Sequence, residues 1–151
     1  NRVKNRMWKL YTSLLLYLAF ETENDIRTRQ ISVTASVISG MMALGLRWWM
    51  EELRWNTDGI LFLCKAAAPG VAILLLGKIT RQAIGYGDGI LMLVCGLYLG
   101  GKTAVLLFMT GLFCLFPISL LLLLSGKAKR EEELPFAPFL LAAFMIWMGL
   151  G

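Results

Sequence analysis

The chain contains no histidine, and its three cysteines stand apart from one another. Cys64, Cys95 and Cys114 lie inside apolar runs, without the two-residue spacing that zinc and iron–sulfur sites use. We therefore expect no metal site and no other cofactor. The missing histidine also excludes Ser–His and Cys–His nucleophilic pairs, so a hydrolase of this composition would use carboxyl groups.

Charged residues are also scarce, at 17%, whereas hydrophobic residues make up 58% of the 151 residues. Soluble domains seldom carry so many apolar residues, because those not needed for the core would face water. The apolar residues form long blocks, which indicates membrane spans. We predict one integral membrane domain over residues 1–151. Its net charge of +5 fits Lys and Arg at membrane interfaces and does not by itself indicate a nucleic-acid partner.

A helix needs roughly 20 residues to cross a bilayer, and most of the apolar blocks approach this length. They predict an all-α polytopic bundle of about six transmembrane helices. No small-residue cleavage site follows the first block, so we expect no cleaved signal peptide. The sequence favours no particular oligomeric state. The predicted spans are residues 7–22, 31–50, 59–77, 88–100, 103–125 and 134–151.

In a six-helix bundle, alternate connections lie on the same side of the membrane. Asp25 in the first connection and Asp88 in the third are therefore expected on one side, and Asp58 in the second on the other. Lys and Arg residues divide evenly between the two sides, so the positive-inside rule leaves the orientation open.

Both aspartates also have ordinary structural interpretations. Asp88, in "GYGDGILM", can cap the helix that follows, with Gly85, Gly87 and Gly89 as loop residues. Asp25, in "ETENDIRTRQIS", can be a solvated loop acid paired with a nearby arginine. Their combination suggests more, because two carboxyl groups that meet between helices can share a proton and activate water for attack on a peptide carbonyl. The glycines would then leave room for an extended substrate backbone.

Three separated motifs resemble those of the type IV prepilin peptidases, a family of intramembrane G-x-G-D aspartyl proteases. "GYGDGILM" resembles the second aspartate motif and implies that Asp88 is catalytic; "NDIRTRQIS" resembles the first and implies the same for Asp25. "ELPFAPFLLAAF" resembles the final-helix motif Pro-Phe-Gly-Pro-Phe, which implies that Pro135, Phe136 and Pro138 support the site. From the first to the last, the motifs span residues 24–145, nearly the whole chain.

The chain departs from these motifs at two points. Ser32-Val33 stands where the family usually has Pro-Asn, and Ala137 stands where it usually has Gly. The insert with paired Cys-x-x-Cys motifs, found in the larger members that also N-methylate their products, does not occur here. The resemblance therefore implies the short, peptidase-only form, without N-methyltransferase activity.

The resemblance implies an enzyme that removes the basic leader peptide from prepilin-like precursors: type IV pilins, pseudopilins or flagellin-like proteins. Its partners would be these precursors and the lipid bilayer. It would be a multi-pass protein of the cell membrane, with its active site facing the cytoplasm. Glu21 and Glu23, on the same side as Asp25, either attract the basic leader or are ordinary solvated loop acids. The segment 134–139 is expected near the aspartates, because non-helical backbone at membrane depth must be buried in protein or line a cavity.

Two alternatives remain open at this point. A non-catalytic membrane scaffold or transporter component would use Asp25 and Asp88 as an ion site or as helix caps. A degenerate, inactive homologue is suggested by Ser32-Val33 in the first motif.

Overall fold

The regular structure of the chain, given by a computed structural model, is entirely α-helical in the residues that it describes. Those residues are 2–50, 55–80, 85–126 and 134–150, so the two terminal residues of the predicted domain lie outside them. The helices are α1 (Arg2–Thr28), α2 (Val33–Trp49), α3 (Thr57–Ile79), α4 (Tyr86–Leu99), α5 (Gly101–Leu124) and α6 (Ala137–Leu150).

Each of the predicted apolar segments overlaps one of these helices, which confirms the all-α fold. By length and composition, α3 and α5 are able to cross a membrane. The apolar helices α4 and α6 are shorter, with 14 residues each. That all six helices cross the membrane stays a prediction.

The first helix is longer than predicted. α1 continues to Thr28, past the predicted end at residue 22, so Asp25 is helical. Placing Asp25 in a loop was therefore wrong. Hydropathy locates the end of the apolar block, not the end of the helix. The helix continues because the polar residues that follow include no Gly or Pro that would end it. Glu23 and Arg27 support this last stretch with an i,i+4 ion pair of 2.8 Å.

Consecutive helices run in opposite directions. Where α1 begins, the Arg6 guanidinium donates to the Met50 carbonyl oxygen at the end of α2 (3.3 Å). At the other end Ile31, just before α2, packs against Gly87 in the first turn of α4. The start of α6 also lies there, in contact with Asp25. We call this the Asp25 end: α2, α4 and α6 begin there and α1 finishes there.

α4 is the central helix and contacts α1, α2, α3 and α5. Small residues bring α3 close to it. A Cβ added to Gly70 would lie 2.6 Å from Leu93 Cβ, and one added to Gly96 would collide with the Ala66 carbonyl oxygen. Helices in membranes depend on this kind of close packing, because lipid gives no hydrophobic drive for association. The buried side chains of α4 include Leu91, Met92, Val94 and Cys95.

Polar side chains hold the opposite end of α4. The Tyr98 hydroxyl forms hydrogen bonds with Ser13 Oγ (2.8 Å) and Ser39 Oγ (3.1 Å), which joins α4 to α1 and α2. Buried Arg47 donates to the carbonyl oxygens of Leu97 (2.8 Å) and Tyr98 (2.6 Å). A cation interacts favourably with the free carbonyl groups of a helix C-terminus, so Arg47 fixes α2 against the end of α4.

Gly96→Ala is expected to destabilise the bundle, because the new Cβ would collide with the Ala66 carbonyl oxygen. Overpacking of this kind costs about 1–3 kcal/mol. Gly45→Ala is the matched control, since nothing lies within 4 Å of its added Cβ. Thermal unfolding in detergent should give a lower midpoint for Gly96→Ala than for Gly45→Ala. Equal midpoints would contradict the close packing of α3 on α4.

Candidate active site

Asp25 is buried near the end of α1, with 7% of its surface exposed. Its Oδ2 accepts a hydrogen bond from the backbone N–H of Ala137 (3.1 Å). Ala137 is the first residue of α6, and amides in the first turn of a helix have no acceptor within that helix. Asp25 therefore caps α6 from another helix, at the end where the helix dipole interacts favourably with a carboxylate.

The segment before α6 packs beside Asp25. Phe136 is buried, with its ring centroid 4.7 Å from that of Phe108. A Cβ added to Gly111 would lie 3.1 Å from Phe136 Cζ, so α5 passes close to this ring. Pro135 precedes α6 and Pro138 lies in its first turn. Proline, which has no N–H, is tolerated there because a backbone N–H would have no acceptor within the helix. A role for these residues in catalysis stays a prediction.

Asp88 is the third residue of α4 and is partly buried. The N-cap position belongs to Gly85, which has no side chain of its own to cap the helix. Interpreting Asp88 as the N-cap was therefore wrong by three residues, because the helix begins within the glycine-rich motif. The carboxyl group lies near Gly85: a Cβ added there would be 3.7 Å from Asp88 Oδ2. An acid in the first turn still interacts favourably with the helix dipole.

The three glycines around Asp88 differ in their surroundings. A Cβ added to Gly87 would lie 2.7 Å from Ile31 Cγ1, and one added to Gly89 would lie 2.8 Å from Leu74 Cδ2. These two glycines leave room for other parts of the chain; that they also leave room for a substrate stays a prediction. Among the three, Gly85 is exposed.

Glu21 is neither a solvated loop acid nor part of the surface, because it is helical and 0% exposed. Its Oε2 accepts a hydrogen bond from the Ser32 N–H (3.0 Å), just before α2. Sequence reasoning missed this burial, although the i,i+4 spacing already placed Glu21 and Asp25 on one helix face. Glu23 is exposed and pairs with Arg27, so this arginine is not the partner of Asp25.

At the Asp25 end, α5 extends past the start of α6. At 14 residues each, α4 and α6 span about 21 Å, less than the roughly 30 Å of a bilayer core. α5 passes Phe136 at Gly111 and continues to Leu124, about 20 Å farther along the helix. Asp25 and Asp88 thus lie at one end of the bundle, which α5 extends past.

The described residues offer no site for a bound metal: within them, no three His, Cys, Asp or Glu side chains are grouped closely enough to hold an ion. The chemistry available at the Asp25 end is that of carboxyl groups and backbone amides.

Comparison with known proteins gives one match. The model of the type IV leader peptidase family matches residues 9–124, most of the chain and both aspartates. No curated protein matches the chain, and no solved structure matches it. The segment before α6 lies beyond the matched residues.

Asp25→Asn is expected to fold with nearly native stability, because the amide oxygen can still accept the Ala137 N–H. Asp25→Leu leaves that buried donor without an acceptor and should lower the free energy of unfolding by about 1–3 kcal/mol. Asp58→Leu, at an exposed acid of α3, is the control. The measurement is thermal unfolding in detergent. If Asp25→Asn and Asp25→Leu are equally destabilised, Asp25 does not cap α6.

Proposed function

The chain belongs to the type IV leader peptidase family, and we propose that it is an intramembrane aspartyl endopeptidase that removes the basic leader from prepilin-like precursors. Family membership and the apolar helices α3 and α5 make it a leader-peptidase-like membrane protease. The observation that supports the aspartyl mechanism most directly is the position of Asp25 and Asp88 at one end of the bundle. Ile31, packed on Gly87, joins the two segments that carry them.

In the proposed reaction, the carboxyl groups of Asp25 and Asp88 share one proton when substrate is bound. The ionised member takes a proton from water as the water oxygen attacks the scissile carbonyl carbon, and the protonated member donates to the carbonyl oxygen. The tetrahedral intermediate then collapses and the C–N bond breaks. The leaving amine takes the proton that the first carboxyl group removed from water, and the second carboxylate recovers its proton from a hydroxyl group of the intermediate as the new carboxyl group forms. The Ala137 N–H orients Asp25 for this exchange, because it fixes one carboxyl oxygen.

Hydrolysis in a membrane sets two requirements. Water must reach the carboxyl groups, while the substrate presents an apolar helix directly after its leader. The apolar wall of α5 extends beyond the level of the site, with Phe113, Phe116 and Leu121 exposed. Gly85, which has no side chain, is exposed beside the Asp88 carboxyl group. We propose that the scissile peptide lies over Gly85.

We propose that the Asp25 end faces the cytoplasm, at the edge of the cell membrane, since the basic leader of a precursor is cytoplasmic before cleavage. Tryptophans Trp48, Trp49 and Trp55 are exposed at the opposite end, where indole rings favour the headgroup region of the other leaflet. A membrane boundary at these tryptophans and another near the end of α5, beyond Asp25, would enclose the apolar bundle.

Co-expression with a prepilin-like protein from the same genome tests the function. We expect the native chain to cleave the precursor, seen as a mobility shift and as a new N-terminus by mass spectrometry. Asp25→Asn and Asp88→Asn should each lower the rate by at least about 100-fold, since general acid–base groups contribute 10²–10⁴-fold. Asp58→Asn, at the opposite end, should cleave like the native chain.

Two results would contradict the proposal. Failure of the native chain to cut any precursor would favour a non-catalytic membrane component. Full cleavage by Asp25→Asn would remove Asp25 from the reaction and leave the aspartyl dyad without its first member.

Orientation has its own test. A cysteine at Ser125, after α5 at the Asp25 end, should react with a membrane-impermeant maleimide only after the cells are permeabilised. A cysteine at Trp55, exposed at the opposite end, should react in intact cells. The native chain, with Cys64 exposed, measures the background. The reverse pattern would place the site outside the cytoplasm.

A further inference from the structure

Glu21 is a buried acid without an assigned role. It lies one helical turn before Asp25, and none of its surface is exposed. The Ser32 N–H occupies Oε2 (3.0 Å), whereas Oε1 has no hydrogen-bond partner among the described residues. Burying a carboxyl group with an unsatisfied oxygen costs free energy that an apolar side chain would avoid. This cost suggests a purpose beyond packing.

The contact with Ser32 fixes the start of α2. Ser32 is the N-cap residue, and its hydroxyl accepts the Ala35 N–H (3.3 Å) while its own N–H is held by Glu21. The Ser32 amide is thus the point at which α1 holds the first turn of α2.

A short path leads from this contact to the second aspartate. Ile31 directly precedes Ser32, and its side chain fills the space where a Cβ on Gly87 would lie. Gly87 in turn directly precedes Asp88. The Glu21 carboxyl group therefore ties the α1 face that bears Asp25 to the backbone that bears Asp88.

We propose that Glu21 is a positioning residue that sets the placement of Asp88 relative to Asp25, acting through the Ser32 amide and the packing of Ile31 on Gly87. This inference rests on the proposed peptidase function. Glu21 touches neither the substrate nor the attacking water. The hydrogen bond needs only an acceptor oxygen, so Gln can replace Glu21 and an apolar residue cannot.

The test combines variants at both ends of the hydrogen bond. Ser32→Pro removes the N–H, and the φ of −73° at Ser32 lies in the range that proline requires. Proline is the usual residue of the family motif here, but in this chain it leaves the buried Glu21 carboxyl group without the Ser32 donor. Ser32→Ala, which keeps the N–H and loses the hydroxyl cap, is its control. At position 21, Glu21→Met removes the acceptor and Glu21→Gln keeps one. Leader cleavage by purified protein in detergent gives kcat and KM for each variant.

We expect Ser32→Pro and Glu21→Met each to lower kcat about tenfold, with KM changed less than about threefold, because the two aspartates lose their alignment. The double variant should be no slower than either single variant, since both remove the same contact. Glu21→Gln should retain most of the native kcat, and Ser32→Ala should lose no more than about threefold.

Several outcomes would overturn the inference. Additive losses, giving about a hundredfold decrease in the double variant, would show that Glu21 and Ser32 act independently. A change in KM alone, with kcat unchanged, would also reject it. So would a kcat of Glu21→Gln as low as that of Glu21→Met. So would native kcat in Glu21→Met.

Thermal unfolding of the same variants separates this inference from the proposed function. It detects coupling between Glu21 and Ser32 without a substrate. If the native chain cleaves nothing, the peptidase function fails and the positioning role fails with it, even when unfolding shows coupling. If the native chain cleaves its precursor and the kcat effects are additive, the positioning role alone is wrong.

Discussion

The hydrogen bond from the Ala137 amide to Asp25 Oδ2 fixes how the first and last helices meet, and the candidate site depends on it. A buried helix start has free amides that need an acceptor, and a buried carboxyl group needs donors. The Ala137 amide and the Asp25 carboxyl group satisfy each other. One turn earlier, Glu21 makes the same exchange with the Ser32 amide at the start of α2. Two acids on one face of α1 thus hold the beginnings of two other helices.

The alternating direction of the helices makes this arrangement possible. α2, α4 and α6 all begin at the Asp25 end, so their positive dipole ends gather where Glu21, Asp25 and Asp88 lie. α4 and α6, at 14 residues each, are too short to span a full bilayer core, and α5 extends past the start of α6. Backbone that leaves a helix at membrane depth needs protein partners, and the acids of α1 provide them.

Much of this architecture could be predicted from the sequence. Hydropathy located the six helices, and their parity placed Asp25 and Asp88 at the same end. The errors arose where the bounds of a helix differ from those of its apolar block. α1 continues through polar residues to Thr28, and α4 begins before Asp88. The burial of Glu21 was missed because composition suggested solvent, whereas helical spacing placed it beside Asp25. Which glycines serve packing was not predictable, because the neighbours of Gly87 come from distant parts of the chain.

The choice of partner for Asp25 matters for its chemistry. A buried arginine would have neutralised the carboxylate, occupied both of its oxygens and opposed its protonation. The nearby Arg27 pairs instead with Glu23 on the surface. The Ala137 amide is neutral: it orients one oxygen of Asp25 and adds no full charge. In the proposed mechanism this hydrogen bond places the carboxyl group, and general acid–base catalysis requires such placement.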